Sequence, residues 1–156
     1  MFNIITFDND DAAVLRKKAS RIADPTSPEM IALVPKMIEA MRLADGTGLA
    51  APQVGLSIRL FVIETGGRVT VVFNPVIIEY SEEKTVSEEG CLSVPNEYFP
   101  IERFTRIRME YQDIEGKKHI IDADGFLSTV LQHEYDHLDG VLIIDRFTLQ
   151  HSPDRL

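Results

Sequence analysis

Three side chains in one short stretch have the types and spacing for hydrolytic chemistry. Gln132-His133-Glu134-Tyr135-Asp136-His137 holds an H-E-x-x-H pattern. On a helix, His133 and His137 stand four residues apart and share a face, so both imidazoles can reach one cation. Glu134 then sits beside them as a base. A cation so held lowers the pKa of water toward ~7 while a carboxylate takes the proton, which is what hydrolysis near neutral pH needs.

The surrounding sequence must supply that helix. Asp124 can cap a helix running through Leu138, with Phe126, Leu127, Val130, Leu131 and Leu138 as its apolar positions and Gly140 just past its end. Upstream, Arg59 to Glu64, Arg68 to Phe73, Val76 to Tyr80, Thr105 to Tyr111 and His119 to Ala123 are short runs rich in β-branched residues. Gly66-Gly67, Asn74-Pro75 and Glu115-Gly116 read as the turns between them, which predicts antiparallel sheets. Near the start, Asp11 to Arg21 predicts a short helix. Ser27-Pro28-Glu29 opens another, with Ile31, Val34, Ile38 and Met41 on its apolar face. Pro35 is expected to kink that helix or shift its start. The predicted fold is α+β, with antiparallel or mixed β-sheets around a central C-terminal helix that carries the H-E-x-x-H residues.

Composition bounds the partners. The 156 residues are 44% hydrophobic and 26% charged, without repeats, low-complexity tracts or linkers, which predicts one globular domain over residues 1–156. The formal net charge of -9 argues against nucleic acid as substrate and against anionic membrane surfaces, apart from a local basic patch at Arg16-Lys17-Lys18. No apolar run approaches the ~18 residues of a membrane span. Residues 1–11 lack the basic and long apolar regions of a signal peptide, so the expected location is the cytoplasm. A single cysteine, Cys91, rules out an internal disulfide framework and leaves packing, reactivity or metal ligation.

Two histidines need a third ligand. Metzincin peptidases extend the pattern to H-E-x-x-H-x-x-G-x-x-H; this chain matches through Gly140 but has Ile143 at the last position. Peptidases that use a downstream glutamate fail too, since no Glu lies between Leu138 and Leu156. Asp139, Asp145 and His151 remain open, as does Cys91 within Glu88-Glu89-Gly90-Cys91-Leu92-Ser93, where a glycine lets backbone come close to a ligand. A thiolate with two imidazoles is a sound metal set, and a small buried thiol is the ordinary alternative.

Gly46-Thr47-Gly48-Leu49-Ala50-Ala51 fits the G-x-G-x-x-A dinucleotide pattern, yet it follows an apparent helix and runs into Pro52, whereas such a loop should follow a strand and open a helix. A surface that a peptide backbone can approach is the better reading. Gln53 beside it offers a neutral amide donor that can polarise a carbonyl oxygen.

Taken together and in this order, Gly46-Thr47-Gly48-Leu49-Ala50-Ala51-Pro52-Gln53, Glu89-Gly90-Cys91-Leu92-Ser93 and Gln132-His133-Glu134-Tyr135-Asp136-His137 resemble the three signature motifs of peptide deformylases. Weaker agreement at Leu15-Arg16, Ile101-Glu102-Arg103, Asp113 to Gly116, Leu138 to Leu142 and Asp145-Arg146 carries the resemblance over roughly residues 13–148. It implies removal of the formyl group from the N-terminal formyl-methionine of newly synthesised polypeptides, releasing formate. It also implies one divalent metal, typically Fe(II), with zinc, nickel or cobalt able to use the same ligands. By motif position Cys91, His133 and His137 would hold that metal, and Glu134 would be the general acid/base. Gln53 and the backbone N–H of Leu92 would stabilise the oxyanion. Gly48 and Gly90 would hydrogen-bond an extended substrate, and Glu89 with Arg103 would form a supporting ion pair. An Fe(II)–thiolate site is expected to lose activity in air or peroxide.

The chain departs from the family pattern at Thr47, usually Val or Ile, and at Ser128-Thr129, usually Ala-Arg or an apolar pair. Both are expected to border the methionine side-chain pocket and to make it more polar. Asp8-Asn9-Asp10-Asp11 replaces a Pro-Asp-Pro often found there, which affects only the entry loop. The tail from Gln150 to Leu156 lacks the basic C-terminal helix that helps several bacterial members dock on the ribosome, so only transient ribosome proximity is expected.

Overall fold

Ser27 opens the first regular helix, α1 (Pro28–Leu43), by accepting the Met30 N–H at 3.3 Å, with Pro28 where no helical N–H is needed. In this computed structural model, which describes residues 1–153, the helix runs on through Pro35. That proline lies on the exposed side, where water can serve the Ile31 carbonyl it leaves unpaired. The buried face is Met30, Leu33, Val34, Met37, Ala40 and Met41; Ile31, expected inside, is exposed. The helix expected over Asp11 to Arg21 is only a 3-10 segment, Ala12–Arg16. It buries just Ala12 and Leu15, too narrow a face to hold a longer helix.

The strands are β1 (Gly48–Ala50), β2 (Leu60–Thr65), β3 (Arg68–Tyr80), β4 (Lys84–Cys91), β5 (Val94–Phe104), β6 (Arg106–Gln112) and β7 (Lys118–Asp124). Five of them form an antiparallel sheet in the order β1-β2-β3-β6-β7, and β4 pairs with β5 in a separate hairpin. Gly66 and Gly67 turn β2 into β3 with φ of 57° and 74°, as their sequence predicts. Asn74-Pro75 is not a turn. It is a bulge inside β3, where Asn74 adopts φ 50° and its side chain exchanges two 2.8 Å hydrogen bonds with the Ile22 backbone. The β4–β5 hairpin lies outside the expected strands because most of β4 is exposed, so no apolar alternation marks it.

Helix α2 (Gly125–Leu138) spans the predicted range, although Asp124 makes no side-chain cap bond. Gly140, at φ 74°, follows its end against the backbone of Arg16, where a Cβ would come within 2.6 Å. A further helix, α3 (Ile143–Gln150), stands beyond the expected elements. It is not basic in character, and the tail residues 154–156 lie outside the described residues. The sheet runs between the two long helices. Along β2, Leu60 and Val62 join the cluster of α1 residues Met37 and Met41, while Phe61 and Ile63 join that of α2 residues Leu131 and Leu138. Each such fully buried side chain contributes roughly 1.5–3 kcal/mol. This two-sided burial is why β2 is a continuous apolar run. The α+β architecture with its motif-bearing C-terminal helix is as the sequence predicts.

Candidate metal centre

Helix α2 lies between the sheet and the β4–β5 hairpin, and its polar residues decide how it sits. Ser128, Gln132 and Asp136, at i, i+4 and i+8, are all buried. Ser128 Oγ and Gln132 Nε2 donate to the Phe104 carbonyl at 2.9 and 2.8 Å, and Gln132 Oε1 accepts the Phe104 N–H at 3.1 Å. Asp136 accepts from Arg103 at 2.6 Å. The stripe fixes the helix against the end of β5, which turns His133 and His137 toward β4 and Glu134 toward Gly48 of β1.

There the Cys91 sulfur meets both imidazoles. One ligand atom each from Cys91, His133 and His137 falls within 4.8 Å of the others, and Cys91 Sγ lies 3.3 Å from His137 Nε2. A cation with bonds of ~2.0–2.3 Å can close that spacing with small side-chain movements. Among the described residues this is the one group of three that could hold a metal. Burial pushes the Cys91 thiol up, but His137 and His133 outweigh it and hold the group well below its ordinary value, which favours thiolate. Against its own burial, His133 is drawn toward the charged form by Cys91 and Glu89. The pocket thus attracts positive charge, and its donor set suits a divalent metal.

The other side chains divide into supports and free groups. Glu89 Oε1 lies 2.9 Å from His133 Nδ1, which leaves Nε2 for a cation. The Glu89 carboxylate is itself gripped by Arg103 through two 2.9 Å bonds, both partners nearly buried. Burial raises the Glu89 pKa, but Arg103 and His133 together bring it down to about 2. The supporting pair expected from the sequence is therefore a buried, bidentate one. Glu134 is buried, its Oε2 has no partner among the described residues, and its pKa is raised, chiefly by that burial. Gly48 touches it: a Cβ there would lie 2.4 Å from Glu134 Oε1. Glycine is required at this position by the carboxylate.

Gln53 follows β1 in a 3-10 turn, Ala51–Val54. Its Oε1 accepts the Ala50 N–H at 2.9 Å, which fixes Nε2 as the end facing Ser93 Oγ at 3.1 Å and Cys91 Sγ at 3.7 Å. Ser93 in turn donates to the Ile5 carbonyl at 2.7 Å. Leu92 occupies the turn between β4 and β5 and packs against Gly46, where a Cβ would come within 2.7 Å of Leu92 Cδ1. Gly90 is cut close on the other face by the ring of Tyr98, 2.8 Å from where a Cβ would stand.

A cavity of about 570 Å³ opens onto this cluster, with Gly48, Gln53, Gly90, Cys91, His133 and Glu134 in its wall. Thr47 and Thr129 also line it. Ser128 does not, since its hydroxyl is spent on Phe104. The rival ligands lie elsewhere with partners of their own. Asp145 accepts from Arg16 and the Leu142 N–H, Asp139 from Arg59, and His151 stacks on Phe147. The glycine loop follows α1 and feeds β1, the reverse of a nucleotide-binding turn. Sequence alone gives Asp136, Arg146 and Ser93 no role. The buried polar spacing of Ser128, Gln132 and Asp136 is the signal that marks the first of them.

A Cys-His-His cluster with an adjacent buried glutamate, set between a helix and an antiparallel hairpin, defines a metal-dependent hydrolase. The profile of the polypeptide deformylase family matches residues 1–152. The chain is 46% identical over 139 residues to peptide deformylase 1 of Clostridium perfringens, covering 88% of this chain and 92% of that protein. The crystal structure of peptide deformylase from Thermotoga maritima superposes with a TM-score of 0.89 at 44% identity, covering 94% of this chain and 97% of that one. The Synechococcus elongatus enzyme, solved in complex with actinonin, gives 0.88 at 36% identity, over 94% of this chain and 78% of its own. The chain belongs to the polypeptide deformylase family. Its function is removal of the N-formyl group from the N-terminal formyl-methionine of nascent polypeptides, with release of formate.

Proposed function

We propose that Cys91, His133 and His137 hold one Fe(II) ion and that Glu134, Gln53 and Leu92 carry the deformylation. The observation that carries this reading is the convergence of the three ligand atoms within 4.8 Å beside a buried Glu134. When bound, the metal supplies a Lewis acid that makes water nucleophilic near neutral pH. Zinc, nickel and cobalt fit the same ligands; the thiolate favours a soft, electron-rich site.

The protein groups then divide the work. Glu134 takes a proton from the water that adds to the formyl carbon. Its raised pKa suits it to keep that proton until the C–N bond breaks and to hand it to the leaving amine nitrogen. Gln53 Nε2 and the Leu92 N–H donate to the oxyanion that develops on the formyl oxygen. Formate and the free N-terminal amine are the products.

The peptide enters as a strand. β1 is an end strand of its sheet and β4 pairs only with β5, and residues of both line the cavity. Gly48 on one edge and Gly90 on the other offer backbone to an extended chain from either side. Thr47 and Thr129 line the pocket proposed for the first side chain and give it a more polar wall. No described helix is long and apolar enough to cross a membrane. Action in the cytoplasm on nascent chains, with ribosome contact only transient, completes the proposal.

Formate release from a formyl-Met peptide by anaerobically purified protein tests the proposal. Asp145→Ala and His151→Ala should release formate and keep metal like the wild type, whereas loss of metal in either would overturn the ligand set. Peroxide should inactivate the Fe(II) form, and full stability to it would contradict the Fe(II)–thiolate assignment.

A further inference from the structure

Arg146 lies on α3, well away from the substrate cavity, yet it ends a chain of charged contacts that begins at a metal-ligand candidate. Its Nη2 and Nε reach the two carboxylate oxygens of Asp136 at 2.6 and 3.2 Å. Asp136 Oδ2 accepts Arg103 Nη1 at 2.6 Å, Arg103 grips Glu89 twice at 2.9 Å, and Glu89 Oε1 holds His133 Nδ1 at 2.9 Å. Without Arg146, two buried carboxylates would share the single guanidinium of Arg103. Arg146 supplies the second positive charge and brings the four groups to neutrality. A buried pair left short of its counter-charge costs far more than a surface pair, and here the shortfall would fall on Asp136, which competes for Arg103 with Glu89, the group that orients His133.

We infer that Arg146 is a positioning residue for the metal site, acting through Asp136 and Arg103 on the Glu89–His133 contact, so that docking of α3 governs how firmly the cation is held. The rest of α3 docks by other means. Gln150 exchanges two 2.9 Å hydrogen bonds with the Glu102 backbone, and Phe147 packs on Phe99 with ring centroids 5.2 Å apart. Those contacts hold the helix without touching the charge chain, which allows the two roles to be separated.

The inference rests on Cys91, His133 and His137 being the ligands. The test uses the full chain loaded with Co(II) and follows transfer of the metal to excess EDTA through loss of the thiolate–Co(II) absorption. Arg146→Gln should lose Co(II) about tenfold faster than wild type, the low end for an outer-shell substitution. Arg146→Lys, which keeps the charge, should lie closer to wild type. Gln150→Ala should lower the thermal midpoint yet leave the rate of metal loss unchanged. A rate for Arg146→Gln within about twofold of wild type, far below that range, would overturn the inference. So would an equal acceleration by Gln150→Ala, which would make Arg146 a helix-docking residue only. Cys91→Ser is run alongside: if it retains Co(II) like the wild type, the ligand assignment itself fails, a result distinct from any behaviour of Arg146.

Discussion

On the side of α2 that faces β5, each polar group is engaged: Ser128 and Gln132 on the Phe104 backbone, Asp136 between two arginines, and Glu89 between Arg103 and His133. On the side that faces the cavity, Glu134 Oε2 is buried without a partner, and glycines stand where side chains would otherwise fill the space. The same helix thus separates a saturated back from an unsaturated front. Saturation fixes the His133 imidazole in place, at a cost in buried charge that only complete pairing offsets. The unpartnered front is where the reaction needs bonding capacity that water or a structural neighbour has not already used.

Substitutions on each side should break this contrast in different ways. Among residues outside the ligand and acid–base set, the largest effect is expected at the front, from Gly48→Ala. Its Cβ would stand 2.4 Å from Glu134 Oε1 and push the carboxylate out of place. A fall in kcat of about 10²-fold or more is expected, with metal content and thermal midpoint unchanged. Steady-state kinetics with metal analysis checks it, and an effect on KM alone would mean that Gly48 serves only the peptide backbone. At the back, Glu89→Gln should destabilise the fold by about 3 kcal/mol in denaturant titration, because Arg103 keeps its charge but loses a buried partner. A loss below about 1 kcal/mol would place the pair with ordinary surface contacts. The smallest effect is expected in the side-chain pocket. Thr129→Ile should raise the preference for methionine over a polar first residue by up to about tenfold. An unchanged selectivity profile would show that pocket polarity does not set it.

Much of the front was legible in the sequence. Cys91, His133, Glu134, His137, Gln53 and the glycines carry their chemistry in residue type and short-range order, and helix α2 follows from its own apolar spacing. The back was less so. The Glu89–Arg103 pair is legible only through the family resemblance, and Asp136 and Arg146 look like surface charges until elements distant in sequence bring them together. The β4–β5 hairpin escaped because strand pairing, not amphipathic alternation, holds it, and its mostly exposed β4 gives no period to read. Asn74-Pro75 read as a turn because those residue types favour one. Hydrogen bonds to Ile22 make the same residues a bulge that keeps β3 continuous. On α1, Val34 and Met41 are buried as their spacing predicts, but Ile31 and Met30 fit that spacing almost equally well and tertiary packing buries Met30.

The claim that ligation and proton transfer belong to separate residues of one cluster is tested most directly by measuring bound metal and formate release on the same anaerobic preparations of Glu134→Gln and Cys91→Ser. The account predicts that Glu134→Gln keeps its metal and releases formate at least about 10³-fold more slowly than wild type. Cys91→Ser should lose the metal itself. Turnover by Glu134→Gln near the wild-type rate, or full metal retention by Cys91→Ser, would contradict it.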